Sequence, residues 1–307
     1  MSKMRIAISP SSFAESDRTP LTMLEQAGVE VIRNMYKRRL TEDEVIEHIR
    51  DADGLLAGVE PLTKRVFSAS PRLKALARVG IGMANVDLDA AQESGIKISN
   101  TPEGPTQAVA EMTVGAMLAL SRGMVRANDA MHAGKWEKRV TKGLEGLKVA
   151  FVGYGRIGRR VREMLRPFGI LALIVDPNID SKSLAEDDTR CTLDESLNQA
   201  DIITLHASGS EAILGRGEFG RVKKGALILN AARGELVDEQ ALVESLRSGQ
   251  VGGAWFDVFM QEPYSGPLQG IENVLLTPHI STYTVQCRLS MECAAVKNIL
   301  HDLGVSR

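Results

Sequence analysis

Residues 148–161 read KVAFVGYGRIGRRV. An apolar strand, Lys148–Val152, runs into glycines at 153, 155 and 158. The chain then continues with Ile157, Val161, Met164, Leu165 and Phe168 at helical spacing. A G-x-G-x-x-G triplet alone is a common turn pattern. Between an apolar strand and an amphipathic helix it reads as the phosphate-binding turn of a dinucleotide fold. Gly153 permits the tight turn, Gly155 lets the main chain approach a pyrophosphate, and Gly158 lets helix and strand close together. The N–H groups of Arg156 and Ile157, at the helix N-terminus, then face the phosphates. Asp176 ends the following strand, LALIVD, about 20 residues beyond the first glycine, where a carboxylate accepts bonds from the adenosine ribose. That carboxylate repels a 2′-phosphate, so the cofactor expected is NAD rather than NADP.

Outward from this motif the alternation of apolar runs and amphipathic stretches continues both ways. Downstream strands are expected at Leu171–Val175, Asp201–His206, Ala226–Asn230, Gly253–Val258 and Val274–Thr277, with Tyr264–Asn273 an irregular surface loop. Upstream strands are expected at Arg5–Ser9, Val29–Arg33, Gly54–Gly58, Leu73–Val79 and Ile96–Ser99. Helical stretches lie between them, one opened by a Thr41–Glu44 capping box. The apolar stretch Thr106–Ser121 reads as a buried linking helix. The final helix, Val285–Leu303, has no strand left to cross to and is expected to return to the first domain. The fold class is therefore α/β, with two doubly wound parallel-sheet domains. Residues 1–101 and 283–307 form a flavodoxin-like domain, and residues 102–282 a Rossmann domain.

Composition narrows the class. Of 307 residues, 44% are hydrophobic and 25% charged, the proportions of a globular protein with about two domains. Thirty-seven basic and 39 acidic residues are mixed along the chain, without the basic block of a nucleic-acid or membrane surface. Cys191, Cys287 and Cys293 have no metal-ligand spacing and form no disulfide framework, so no metal is expected. The start, MSKMRIAISPSS, is too poor in apolar residues for a signal peptide, and there is no 18-residue apolar run. A cytoplasmic location is the expectation.

Three more segments place polar groups just past strands, at the sheet edge where open α/β folds bind ligands. They are LILNAARGELVDE (227–239), AWFDVFMQEP (254–263) and VLLTPHIS (274–281), carrying Arg233, Glu262 and His279. Together with RVGIGMANVDLDAA, NTPEGPTQAVAE and AGKW, they make the chain resemble the D-isomer-specific 2-hydroxyacid dehydrogenase family. Within that family it is most similar to the short-form D-3-phosphoglycerate dehydrogenases. The resemblance extends from Ala52 to Leu303. It implies a substrate-binding domain with an inserted NAD domain, usually in a homodimer, and an enzyme that oxidises a D-2-hydroxy acid or reduces the 2-keto acid. The best-matched reaction is 3-phosphoglycerate to 3-phosphohydroxypyruvate, at the head of serine biosynthesis; hydroxypyruvate or glyoxylate reduction is the alternative.

Such chemistry needs a base, a cation for the carboxylate and a hydride acceptor. His279 suits the base, because an imidazole titrates near neutral pH. Glu262 would hold its other nitrogen and stabilise the imidazolium. Arg233 offers a planar fork to the substrate carboxylate and C2 oxygen. The resemblance adds Asp257 and Ser281 near the nicotinamide, Ala207, Ala231 and Ala232 along the cofactor, and the N–H groups of Ile81 and Gly82 as a second carboxylate anchor. Substrate would then lie in the cleft between the domains. Each residue also has a plainer reading: Glu262 as a turn residue before Pro263, Arg233 as a surface ion pair. His48, His132 and His301 read as structural, and His206 as a pocket-lining residue. Trp136 is either core or near a dimer contact.

Some positions depart from the family. Ala84 stands where Asp is common, and Ser281 where a glycine is usual. Ala57-Gly58 stands where many phosphoglycerate dehydrogenases carry a phosphate-binding arginine. Arg78 matches another phosphate-contacting arginine, and N–H groups near Gly58 could form an anion nest. No regulatory domain follows, so serine feedback through one is not expected. A formate dehydrogenase would have Gln in place of Glu262. A non-catalytic NAD-sensing corepressor shares the fold and triad but would normally carry disordered tails.

Overall fold

The computed structural model describes residues 3–180, 182 and 184–305, so the outermost limits of the expected domains, 1 and 307, lie outside the described residues. The chain divides into two compact units, Met1–Pro105 with Tyr283–Arg307, and Thr106–Thr282.

The first unit is built on five parallel strands: β1 (Arg5–Ile8), β2 (Glu30–Arg33), β3 (Gly54–Ala57), β4 (Ala75–Arg78) and β5 (Lys97–Ser99), in the order β2-β1-β3-β4-β5. This is the flavodoxin-like order, with a switch point between β1 and β3. β3 is buried along its length, as a parallel strand covered on both faces must be. Part of that cover is the helix Val285–Asp302, which buries Cys287, Met291, Ala295, Val296 and Ile299, a stripe at helical spacing. The Thr284 hydroxyl caps its start by accepting from the Cys287 N–H at 3.1 Å. Gly54 allows the contact, since a Cβ there would lie 2.8 Å from a Leu303 methyl and 3.1 Å from Ile299. The Thr41–Glu44 capping box is present in full.

The second unit carries seven parallel strands: β6 (Lys148–Val152), β7 (Leu171–Val175), β8 (Asp188–Arg190), β9 (Ile202–Leu205), β10 (Ala226–Asn230), β11 (Val251–Phe256) and β12 (Val274–Leu276). Their order is β12-β11-β10-β9-β6-β7-β8, the dinucleotide-binding order extended by one strand, with the switch point between β6 and β9. Side chains alternate between the two faces. Ala150, Val152, Ile203, Leu205 and Ile228 belong to one core cluster, and Val149, Phe151, Ile202, Leu229 and Trp255 to the other. Burying a large side chain such as Phe151 contributes about 1.5–3 kcal/mol.

Two features differ from the expectation. The polar edge strand β8 was not anticipated, and β11 begins at Val251, two residues before the expected start at Gly253. β8 pairs with β7 along the main chain and is held further by polar side chains. Arg162, 2% exposed, pairs with Asp188 and Asp187 at 2.6 Å each, and the Tyr154 hydroxyl donates to Asp188 at 2.9 Å. Tyr264–Asn273 is irregular as expected, but it is anchored by buried Leu268 and by Tyr264 stacked on Phe259. Among the described residues no single helix is long and apolar enough to cross a membrane, and no cluster of His, Cys, Asp and Glu could hold a metal ion.

Candidate active site

At the switch point of the second sheet the chain leaves β6 through Gly153, whose φ of +90° favours glycine. Any Cβ there would lie 2.5 Å from the Ala207 nitrogen and 2.6 Å from the His206 carbonyl carbon, so this turn is pressed against the end of β9. Gly158 is as tightly constrained, with a Cβ falling 2.4 Å from the Gly153 oxygen. Gly155 differs: a Cβ at this position meets nothing within 4 Å. The middle glycine thus faces open space over the N-terminus of the helix Arg156–Leu165, and that helix has no side-chain cap. Uncapped N–H groups beneath an open glycine make a cradle for an anion. The Asp176 carboxylate is oriented beside it, accepting from the N–H groups of Tyr154 at 2.8 Å and Asn178 at 2.9 Å.

Further along the same edge, Ala207 follows β9, and Ala231 and Ala232 follow β10, all partly exposed. Burial lowers the His206 pKa to about 4, and the ring shares a 3.0 Å hydrogen bond with the Thr204 hydroxyl. His206 therefore stays neutral at physiological pH and is suited to lining a pocket rather than moving protons. The Ser281 hydroxyl is buried and has no hydrogen-bond partner among the described residues, a polar atom still to be satisfied. The open Gly155, the uncapped helix, the fixed Asp176 and the orphan Ser281 hydroxyl all fit a dinucleotide.

β10, β11 and β12 are neighbours, and each delivers one of the predicted catalytic residues past its C-terminal end. Arg233 follows β10, half-buried, with Nη1 donating to the Ala232 carbonyl at 2.7 Å. Its turn is shaped by Asn230, which accepts from the Ala232 N–H at 3.0 Å and donates to the Arg233 carbonyl at 2.7 Å. Gly234 packs backbone to backbone on the loop after β11, where a Cβ would lie 2.2 Å from the Phe259 carbonyl carbon. That loop carries Glu262, whose Oε1 accepts from the Phe259 N–H at 3.1 Å. The same carboxylate meets Nδ1 of His279 at 2.8 Å. The other ring nitrogen, Nε2, is left for a reacting group. His279 has a φ of +53°, an uncommon backbone state for a side-chain-bearing residue, of the kind found at working sites.

Asp257 holds this turn. It is fully buried, and its oxygens accept from the Thr277 hydroxyl at 2.6 Å and from the N–H groups of Ile280 and Ser281 at 2.9 Å each. Trp255 Nε1 donates to the same Thr277 hydroxyl at 3.0 Å. The resemblance gave Asp257 a cofactor contact; in the structure its carboxylate bonds the segment that carries His279. Thr277 and Trp255 were missed, since a threonine before Pro278 and a core tryptophan give no sequence signal of hydrogen bonding.

In the first unit, the turn after β4 carries Ile81 and Gly82. Arg78 bonds its own turn: Nε donates to the Gly82 carbonyl at 3.1 Å, and Nη1 to the Val79 carbonyl. Asn100 holds the Ile81 carbonyl at 3.0 Å. The N–H of Gly58, anticipated as part of an anion nest, is instead taken by Glu60. Trp136 is 76% exposed, which removes the core reading.

Known proteins resemble this chain in sequence and in fold. Residues 114–281 match the family model described as "D-isomer specific 2-hydroxyacid dehydrogenase, NAD binding domain". The D-3-phosphoglycerate dehydrogenase of Methanocaldococcus jannaschii is 36% identical over 280 residues, 87% of this chain and 52% of the relative. The hydroxypyruvate reductase of Thermotoga maritima is 34% identical over 297 residues, 92% of this chain and 96% of the relative. The chain thus spans about half the length of the phosphoglycerate dehydrogenases it matches. A solved protein of Thermus thermophilus superposes with a TM-score of 0.90 at 32% identity, covering 98% of this chain and 97% of that one. A glyoxylate reductase from Paecilomyes thermophila gives 0.86 at 27% identity, covering 99% of this chain and 96% of that one.

Proposed function

Because this chain belongs to the D-isomer specific 2-hydroxyacid dehydrogenase family, we propose that it interconverts a D-2-hydroxy acid and its 2-keto acid with NAD. The observation that carries this reading is the Glu262–His279 hydrogen bond at the ligand-binding edge of an NAD-binding sheet. When bound, the nicotinamide supplies or accepts the hydride. His279 Nε2 takes the hydroxyl proton in oxidation and returns it to the C2 oxygen in reduction. Glu262 keeps the ring oriented and offsets the charge of the imidazolium. Arg233 holds the substrate carboxylate and polarises the C2 oxygen. Asp257 acts through the His279 turn, and Ser281 supplies a hydroxyl to the cofactor. Ile81 and Gly82, with Arg78 bracing their turn, offer the second carboxylate anchor.

Phosphohydroxypyruvate is supported as the substrate by relatives named D-3-phosphoglycerate dehydrogenase, and hydroxypyruvate by the Thermotoga maritima relative that matches end to end. The bonding of Arg78 and Gly58 within their own turns favours the unphosphorylated keto acid. The test is NADH oxidation by purified protein with phosphohydroxypyruvate, hydroxypyruvate, glyoxylate and pyruvate. No turnover with any of them would remove the dehydrogenase reading.

The protein works as a homodimer in this reading. Met124, Val125, Met131, Trp136 and Val140 are all exposed on one stretch of chain, a run of apolar surface that a second copy would cover. Light scattering of the wild type should give twice the chain mass, and Trp136→Glu should shift it toward one. Three free thiols fit a reducing, cytoplasmic setting.

A further inference from the structure

The edge of the first sheet keeps an acid of its own where a parallel sheet ordinarily presents free donors to a ligand. Glu60 follows β3 and is 2% exposed. Both of its carboxyl oxygens accept from the Gly58 N–H, at 2.9 and 3.1 Å. It lies against the glycine, since a Cβ at position 58 would sit 2.9 Å from Glu60 Oε2. The main chain around it is pinned. Asn85 Nδ2 donates to the Gly58 carbonyl at 3.2 Å and the Glu60 carbonyl at 2.7 Å. Leu62 is held on both sides, its N–H by the Asn85 carbonyl and its carbonyl by the Asp87 N–H, each at 2.8 Å. Burial pushes the Glu60 pKa up, while the main-chain N–H groups of Glu60 and Gly58 act against that rise.

Arg78, on the neighbouring strand β4 and paired with Ala57, donates to the carbonyls of Val79 and Gly82. A phosphate needs free N–H donors and a cation whose charge is not already answered. Here the Gly58 N–H is occupied by Glu60, the Arg78 guanidinium is engaged by two main-chain carbonyls, and Ala57 contributes neither.

We infer that Glu60 is a specificity-determining residue that turns away substrates with a phosphorylated tail and directs the enzyme to 2-keto acids with a short, uncharged one. The inference rests on the dehydrogenase reading above and deepens it. Two variants test it. Glu60→Gln keeps the shape and removes the acid; Glu60→Ala also releases the Gly58 N–H. The wild type should show a kcat/KM for hydroxypyruvate at least about tenfold above that for phosphohydroxypyruvate. Each variant should lower that ratio by about tenfold or more, chiefly through KM for the phosphorylated substrate. In parallel, inorganic phosphate should raise the Tm of Glu60→Ala but not of the wild type, a readout that needs no turnover.

A wild type that prefers phosphohydroxypyruvate would overturn the inference. So would an unchanged ratio and an unchanged phosphate response in variants that circular dichroism shows to be folded. If Glu60→Ala fails to fold, Glu60→Gln decides through the ratio. If no 2-keto acid is turned over, the dehydrogenase reading fails, and the phosphate response alone decides whether Glu60 excludes anions.

Discussion

The Glu262 carboxylate lies 2.8 Å from His279 Nδ1 and also accepts from the Phe259 N–H, so one side chain fixes both the imidazole and the loop that supports it. Glu262→Gln should therefore lower kcat, because the ring loses its anchor and the imidazolium formed in oxidation loses its counter-charge. His279→Ala should lower kcat by about 10²–10⁴ at every pH. Near wild-type turnover in His279→Ala would show that the proton comes from elsewhere.

The three glycines of the phosphate turn should fail in different ways. Gly153→Ala and Gly158→Ala place a Cβ within 2.5 Å of main chain and should lower Tm as well as NADH binding. At Gly155 the same methyl meets no protein atom, so Gly155→Ala should keep its Tm and lose NADH affinity, read by quenching of protein fluorescence. Full NADH affinity in folded Gly155→Ala would place the pyrophosphate somewhere else.

Cofactor choice rests on Asp176, which two backbone N–H groups hold in place. The wild type should have a higher kcat/KM with NADH than with NADPH. Asp176→Ala should narrow the gap by removing both the ribose contacts and the repulsion of a 2′-phosphate. A wild type that prefers NADPH would contradict the assignment.

Arg78 braces the turn that carries Ile81 and Gly82, so its loss should be felt by every substrate. Arg78→Ala should lower kcat/KM for hydroxypyruvate and phosphohydroxypyruvate by similar factors. A loss confined to the phosphorylated substrate would instead mark Arg78 as a direct phosphate ligand.

His206 links the site to acid stability. Its ring titrates near 6.5 in the unfolded chain and near 4 in the folded one. Between those values the unfolded state binds the extra proton. The contribution is therefore complete above about pH 6.5 and is lost as pH falls toward 4. Urea unfolding between pH 7 and pH 5 should show a loss on the order of 2 kcal/mol in the wild type that is smaller in His206→Gln. Equal slopes would mean the ring protonates without penalty.

The sheets were legible because parallel strands buried on both faces leave continuous apolar runs, as at VAFV in β6 and ALIL in β10. β8 was not, because Asp-Thr-Arg pairs along one edge and is held by Arg162 from a distant helix. The start of β11 was hidden by Gly252, since a glycine just ahead of the expected start at Gly253 is a weak strand former. Gly252 is in fact required there, where a Cβ would fall 2.4 Å from the Gly225 oxygen. Arg233, Glu262 and His279 stood out because each follows a strand that the apolar pattern had already located. Glu60 did not: a lone glutamate before a proline reads as exposed, and only the fold shows its carboxyl turned inward onto Gly58. Asp257 was singled out, but its bonds to Thr277, Ile280 and Ser281 depend on a pairing of β11 and β12 that periodicity cannot supply.

The helix Val285–Asp302 lies on a sheet whose five strands all precede residue 100, and the whole second unit is translated in between. During synthesis the early strands must wait for their cover until this helix leaves the ribosome. A chain that stopped at residue 284 and left the ribosome would hold an intact nucleotide-binding unit and a sheet with β3 laid bare, the form a chaperone would grip and a protease would cut first. Released chains truncated after residue 284 should accordingly lose the first unit to brief proteolysis and keep the second.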